Sequence, residues 1–474
     1  MREITAVLPL QYSHYLQRDI PSPAPLTSFL SLHCLVTYME ALEERKYHTI
    51  ILGTDTTLSI LSAYFPPSAL ARSGQKVLHL DSCEYYGGAD ASLTLPEFLA
   101  FMSAGDQPPF VQKEVLVSPP TSPDFQSLSR KFVIDLQPRL QYGAGSAVEL
   151  MVQGGVSQYL EFKPVTTGVM WLGDRFQQIP SDHQDVLRDE RLTAGEKAAL
   201  LLLVDKVSRM TEYQGTFQAL VQESGLTPFL QNVLLHGILL QSEPAEELTV
   251  AEAAERIKVR TRQKHVASLN LYRKDSPMLY PLFGSSDISQ AFCRLAAVFG
   301  ATYVVTPSVT LGQIATLPTG EVTISTSLGL LECDRIIASP KYHYLNPTAT
   351  TTVLSQYLRS VTISTQILYP SDVPVLLSIP PSTLSPLPVF ILQITNATSC
   401  VPADFALYYC WTRVSDYSQG RTALDQVQLL IPGEIILRAI YTQNVQNVTT
   451  TGGITVINDL FRGIDIDFNI VSTT

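Results

Sequence analysis

The β-rich run His48–Leu52 is followed by Gly53-Thr54, a helix-like stretch from Thr56 to Phe65, and a second β-rich run, Lys76–Leu80, that ends in Asp81. A strand, tight turn, helix and second strand within about 30 residues form the βαβ unit with which nucleotide-binding folds begin. Pro66-Pro67 ends the helix, because proline cannot continue it and constrains the residue before it.

The turn itself is broken. A pyrophosphate-binding turn needs G-x-G-x-x-G after the first strand, since only glycine lets the backbone reach the phosphates and the helix pack on the strand. Here the residues are Gly53-Thr54-Asp55-Thr56-Thr57-Leu58, so the second and third glycines have become Asp55 and Leu58. A carboxylate about 4 Å from a phosphate charge costs on the order of 4 kcal/mol at an effective dielectric near 20, roughly three decades in affinity. Asp81 stands where a ribose-binding acid would, but without the glycines it reads as a turn residue after a strand. No flavin or nicotinamide cofactor is expected, and a flavin-dependent oxidoreductase is the weakest of the functional readings.

The chain has 474 residues, 45% of them hydrophobic and 16% charged, with a net charge of −11. Length calls for roughly two to four domains, and the composition is that of a chain that folds. The acidic balance argues against nucleic-acid binding, which needs a cationic surface to displace counterions from phosphates. Cys34, Cys83, Cys293, Cys333, Cys400 and Cys410 are scattered, with no C-x-x-C pair and no histidine at zinc spacing, so free thiols and no metal are expected. No apolar run reaches the length of a bilayer span. Arg18, Asp19 and two prolines interrupt the place of a signal peptide, which makes the cytosol the expected compartment and the sequons at Asn396 and Asn447 chance matches. G-x-S-x-G, G-x-x-x-x-G-K-[ST] and a C-terminal Cys-a-a-X box are all missing. His79 alternates with apolar strand residues and is expected to be packed, not catalytic.

Along the chain, residues 1–47 look like an extension, with Pro21, Pro23 and Pro25 ahead of an amphipathic segment from Thr27 to Arg45. Residues 104–130, rich in proline, read as an exposed loop. Glu196–Val207 is a run of helix formers opened by Thr193 with Glu196 at the capping-box spacing, and Phe229–Leu240 and Ala251–Arg262 continue the helical character. From Ala301 onward the pattern is β: Tyr303–Thr306, Glu321–Ser325, Ile391–Ile394, Val427–Ile431 and Ile435–Tyr441.

Three segments carry a resemblance. The first is VLHLDSCEYYGGADASLTLPEF, in which a strand ending in Asp81 leads to Tyr85-Tyr86-Gly87-Gly88 and an Ala-Ser pair; the second is Val156-Ser-Gln-Tyr-Leu-Glu-Phe-Lys163; the third is PMLYPLFGSSDISQAFCRLAAVFGATYVV, residues 277–305. In this order they resemble the Rab GDP-dissociation inhibitor and Rab escort protein superfamily, and they cover most of residues 48–306. A weaker likeness lies in the helix-like LFRGIDIDF near the C-terminus. The resemblance implies an α/β fold with an FAD/NAD(P)-binding-like multi-sheet large domain, residues 48–145 and 268–474, that binds the GDP form of a Rab GTPase without a cofactor. It implies a smaller inserted helical domain, residues 146–267, that takes up the prenyl group. The Rab-binding platform would comprise Tyr86, Asp287 where the family has glutamate, Arg294, Thr302, and Val304 in place of a methionine. Leu201, Leu202, Leu235 and Leu239 are candidates for the lipid groove, since a 20-carbon chain at about 0.8 kcal/mol per buried CH₂ needs an apolar lining with little specific chemistry.

Escort-like features are the runs Ala71–Ser82 and Ala291–Gly300, Leu192-Thr-x-x-Glu-Lys197 and the proline-rich loop. Against them, Leu203 and Lys206 stand where escort proteins carry aromatic residues for docking the geranylgeranyltransferase. The expected function is therefore a non-catalytic escort protein, with a recycling inhibitor as the alternative and transient membrane contact during delivery of Rab. Because Met39 opens the run that leads directly into the first strand, deleting residues 1–38 should leave a soluble protein with unchanged partner binding; loss of soluble expression would refute that.

Overall fold

The computed structural model describes residues 44–458, apart from 65–69, 72–73, 144, 181–182, 211–215, 243–247, 262–275, 277 and 451–453. The N-terminal extension up to residue 43, Pro66-Pro67, Cys34 and the LFRGIDIDF run lie outside the described residues.

The βαβ unit is present as β1 (Lys46–Leu52), α1 (Thr56–Tyr64) and β2 (Val77–Asp81); the third matched segment supplies α2 (Ser286–Val298) and β3 (Thr302–Val305). These strands belong to a seven-stranded sheet in the order β3, β2, β1, Gly329–Ala338, Val322–Thr326 and Leu311–Thr316, with Ile454–Val456 beside Gly329–Ala338. β1 pairs in parallel with β2 and with Gly329–Ala338, and β2 pairs in parallel with β3. Such strands are covered on both faces, which is why β2 is buried at every position rather than at alternate ones. α1 and α2 pack against each other, with Ser59 Oγ 3.2 Å from Cys293 Sγ between them. His79 is packed as expected: its ring stacks on Tyr303 at 4.3 Å, and burial pushes its pKa down to about 4.

A ten-stranded sheet runs Phe110–Val117, Ile435–Thr449, Thr350–Ser364, Ala406–Val414, Val389–Ile394, Val375–Ile379, Phe162–Trp171, Met278–Pro281 and Gln141–Tyr142, with Phe176–Gln178 beside Phe162–Trp171. Its two faces feed separate cores. Tyr409, Trp411, Phe390 and Tyr441 pack with Phe98, Phe132 and Tyr280, while Tyr408, Cys410, Ile391 and Leu377 pack under the helix Tyr417–Gln428. The five cysteines among the described residues are free thiols.

The local signals for the central helices hold. Thr193 and Glu196 close a capping box on the helix Ala194–Arg209, and Val250–Thr261 is helical. Phe229–Leu240 resolves into a short α-turn, Pro228–Asn232, and a π-turn, Val233–Ile238, ending at Leu240 with φ of 53°. Leu200, Leu203, Phe217, Leu230, Leu234 and Leu239 form the core of this helical part.

Three expectations need correction. Residues 104–130 are not one loop: the β-branched alternation of Phe110–Val117 makes an edge strand on Ile435–Thr449, and Ser122 caps a short helix, Pro123–Ser129. The prolines lie before and between these elements, except Pro123, which opens the helix at its first position, where a missing N–H costs nothing. Val427–Ile431 is a helix end and turn, because Val427 closes the buried stripe Gly420, Ala423, Leu424, Val427. Residues 146–267 are not helical throughout, since Phe162–Trp171 is a strand of the ten-stranded sheet.

The loop into α2 depends on Gly284. Its φ is +93°, and a Cβ there would come within 2.7 Å of Ser92 Oγ and 2.8 Å of Asp135 Oδ1. Gly284→Ala should therefore lower stability by about 2–4 kcal/mol, from backbone strain plus disrupted buried hydrogen bonds. Urea unfolding measures this, and a change below about 1 kcal/mol would show that the loop adapts.

Candidate protein-binding face and the closed phosphate turn

Gly53 keeps the left-handed conformation expected of a turn glycine, φ +115°, and its N–H bonds to the Leu80 carbonyl at 2.9 Å. The next residues turn inward on the chain. The Asp55 carboxylate accepts the Ala89 N–H at 3.0 Å and lies where a Cβ on Gly88 would fall. Burial pushes its pKa up to about 7, with Asp90 and Asp81 adding to the rise and the Ala89 N–H opposing it. Asp90 accepts the Thr56 N–H, at the N-terminus of α1, at 3.4 Å and pairs with Arg139 at 2.7 Å, both side chains 4% exposed. Leu58 is buried in the core. A dinucleotide does not fit this turn, since the Asp90 carboxylate takes the Thr56 N–H at the helix start and the Asp55 carboxylate lies against Gly88, a negative charge where a phosphate would approach. Asp81 behaves as the turn acid the sequence implied, accepting the Cys83 N–H at 3.1 Å, and it also accepts the Thr54 and Tyr342 hydroxyls at 2.8 and 2.7 Å.

The three matched segments converge. Gly87, at φ +103°, donates to Thr54 Oγ1 at 3.1 Å, which ties the signature loop to the turn. Ser92, of the Ala-Ser pair, accepts the Ser286 N–H at 2.9 Å and donates to Asp135 at 2.6 Å. Asp135 also accepts Tyr280 Oη and Ser285 Oγ, each at 2.7 Å, and the Ser285 N–H at 3.0 Å. Its burial raises its pKa while these donors oppose the rise. The second segment joins the third through pairing of Phe162 and Lys163 with Pro281 and Tyr280, and through Leu282 N–H to the Glu161 carbonyl at 2.9 Å.

On this frame sits a face of mixed chemistry. Arg294, exposed on α2, has its guanidinium 4.7 Å over the half-exposed Tyr159 ring, and that contact, not a pairing with Asp287, orients it. Asp287, two helical turns before Arg294 on α2, is half-buried; burial and the nearby Glu161 charge push its pKa up to about 6. Tyr86 is half-buried with its ring 6.2 Å from Tyr303, and Thr302 is exposed on β3. Phe283 and Val298 add exposed apolar surface. Val304 is 2% exposed and inside the sheet, so its side chain is not offered to a partner. Tyr85 packs partly against the core beside Ala89. Of the groove candidates, Leu239 belongs to the helical core, Leu201 and Leu235 are half-buried against it, and Leu202 is 69% exposed.

The sequence pattern missed Asp135, Asp90 and Arg139. Its available signal was an acid inside the apolar run Phe132–Leu136, since a carboxylate is rarely buried without partners. Among the described residues, no group of three or more His, Cys, Asp or Glu could hold a metal ion, and no helix is long and apolar enough to cross a membrane.

The parallel core of the mixed seven-stranded sheet, its helices and the strand–turn–helix at Gly53 define an FAD/NAD(P)-binding-like fold. Solved structures with this fold include the Rab GDI of Plasmodium falciparum, with a TM-score of 0.69 and 19% identity over 89% of this chain and 95% of that one. An oxidoreductase of Methanosarcina mazei gives a TM-score of 0.61 with 13% identity, over 89% and 97%. Residues 42–372 match the family model described as GDP dissociation inhibitor, and the chain belongs to that family. Its relatives carry two kinds of name. A "probable secretory pathway GDP dissociation inhibitor 1" of Schizosaccharomyces pombe is 25% identical over 278 residues, 56% of this chain and 58% of that protein. The "Rab proteins geranylgeranyltransferase component A" of Drosophila melanogaster is 26% identical over 321 residues, 63% and 60%. The chain thus spans less than two thirds of the length of these relatives.

Asp287 carries a testable pH dependence. Its folded pKa lies above the unfolded value of 3.8, so ionisation penalises the folded state above about pH 6, and the penalty disappears as pH falls below about 4. Asp287→Asn should stabilise the protein by about 1–3 kcal/mol at pH 7.5 and leave it unchanged at pH 4. Urea midpoints at both pH values check this; an equal difference at both would refute it.

Proposed function

We propose that this chain is a Rab escort protein, a non-catalytic accessory component that binds GDP-loaded Rab, presents it to the geranylgeranyltransferase and delivers it to membranes. The observation that carries the reading is that the three matched segments are joined to one another, the signature loop to the start of α2 through Ser92 and Asp135 and the second segment to the third by strand pairing, while Tyr86 lies beside Tyr303 and Arg294 over Tyr159. An aromatic ring, an arginine oriented by stacking and a carboxylate are what an interface uses for burial, for bidentate hydrogen bonding and for a basic group of the partner. The multi-sheet part would hold the GTPase, and the helical part, with Leu201, Leu202 and Leu235 outside its core, would take the prenyl tail. The cytosol, with transient membrane contact during delivery, is the compartment this role requires.

A recycling GDP-dissociation inhibitor is the second reading. The helix Ala194–Arg209 favours it, because it carries no aromatic side chain where a transferase would dock and exposes Leu202 instead. The flavin-dependent oxidoreductase reading has the closed turn against it; a purified protein with flavin absorbance would revive it.

Reconstitution with Rab-GDP, geranylgeranyltransferase and geranylgeranyl diphosphate separates the readings. Prenyl transfer that requires this protein is the expected result, and Rab binding without transfer would establish the recycling role. Arg294→Ala should weaken Rab-GDP binding about tenfold or more, as loss of an interface arginine does. Unchanged affinity in that variant would remove the proposed face.

A further inference from the structure

We propose that Asp55 and Asp90 stand in for the diphosphate of a nucleotide, and that this internal anion holds the Tyr85–Gly88 loop in the shape that presents Tyr86. The inference rests on the reading of the Tyr86–Arg294 face as partner-binding.

A helix N-terminus preceded by a glycine turn is an anion site, because its first N–H groups have no partner inside the helix. In this chain the anion is covalently part of the protein. Asp90 accepts the Thr56 N–H of the nine-residue α1, and Asp55 accepts the Ala89 N–H from the opposite side. The two acids therefore cross, each leaving its own strand of the loop to bind the other. Asp55 and Gly87 also form a backbone bridge, and Gly87 donates to Thr54 Oγ1. The Asp55 carboxylate occupies the position that a side chain on Gly88 would take, at the wall of a cavity that Tyr85, Ala89 and Lys341 also line.

Arg139 completes the site as the cation that a bound diphosphate would otherwise meet. It is buried, pairs with Asp90 at 2.7 Å, and donates its backbone N–H to Ser285 Oγ at 2.8 Å, at the start of α2. One connected set of bonds therefore runs from the α1 N-terminus through Asp90 and Arg139 to the helix that carries Asp287 and Arg294. Asp55, Asp90 and Arg139 are positioning residues: they touch no partner, and they fix the loop and helix that do.

The test is chemical rescue of the double variant Asp55→Gly, Asp90→Ala with inorganic phosphate. Melting temperature and Rab-GDP affinity are both read, against sodium chloride at matched ionic strength. The double variant should melt lower and bind Rab-GDP roughly tenfold or more weakly, from lost charge-assisted hydrogen bonds and an uncompensated Arg139. Phosphate should restore both in a saturable manner, raising the melting temperature by about 2 °C or more once it exceeds its dissociation constant several-fold. Wild type, whose site is filled, should show only the small unsaturable rise that phosphate gives any folded protein. Asp55→Asn, which keeps volume and an acceptor for Ala89 but not the charge, should bind Rab-GDP more weakly than wild type but more tightly than the glycine variants, and show no saturable response because its side chain still fills the place. If the double variant does not fold, Asp55→Gly alone, which keeps the Asp90–Arg139 pair, is tested the same way. Equal phosphate responses in all proteins, or none in the glycine variants, would overturn the proposal. Failure of wild type to bind Rab-GDP while phosphate still rescues the melting temperature would instead remove the partner reading and leave the internal anion standing.

Discussion

The buried carboxylate of Asp135 is the constraint on which the rest of the structure hangs. An ionised group taken out of water is tolerated only when donors replace its hydration, and Asp135 has four of them: Ser92 Oγ, Tyr280 Oη, and the hydroxyl and N–H of Ser285. Those donors come from chain segments nearly 200 residues apart. Asp135 also donates its own N–H to Tyr409 Oη at 2.8 Å, on a central strand of the ten-stranded sheet. Satisfying one charge thus fixes the signature loop, the start of α2 and the large sheet against one another. Gly284 is the backbone consequence, because any side chain there would occupy the space of Ser92 and of the Asp135 carboxylate itself.

The closed turn beside this network follows the same logic. A nucleotide-binding frame depends on leaving N–H groups free for a ligand. Here the Thr56 N–H at the helix start is spent on Asp90, the Asp55 carboxylate takes the Ala89 N–H of the neighbouring loop, and Asp81 is spent on Thr54, Cys83 and Tyr342. The frame keeps its strand order and helix packing, which depend on apolar burial, and exchanges only the polar contacts at its end. A scaffold that carries its own counter-charges does not need a cofactor to be rigid.

Local chemistry was legible in the sequence where it was truly local. The βαβ unit, the Thr193–Glu196 capping box and the packed His79 each depend on residues within one element or its neighbour, and each is found. Val427–Ile431 misled because a β-branched run is also the last turn of an amphipathic helix, and the choice rests on Gly420 and Ala423 further back. Phe110–Val117 was hidden by prolines outside the strand, and its pairing partner lies more than 300 residues away. The face itself was legible only through the matched segments. Nothing in the spacing of Asp90, Arg139 and Asp135 announces that they meet, and Val304 shows how a residue at a matched position can be turned into the sheet.

In the proposed face, the charges of Asp287 and Arg294 are not paired with each other. Asp287 and Arg294 lie seven residues apart on α2, the spacing of two helical turns, and mutual neutralisation would have left an inert surface. Instead the Arg294 guanidinium lies 4.7 Å over the Tyr159 ring, a cation–π contact and not an ion pair. Asp287 is set beside Glu161, where burial and like charge make its ionised form costly. A cation placed between those two acids would relieve that cost. The same arrangement discriminates, because an acidic surface brought to this point meets two carboxylates already in excess.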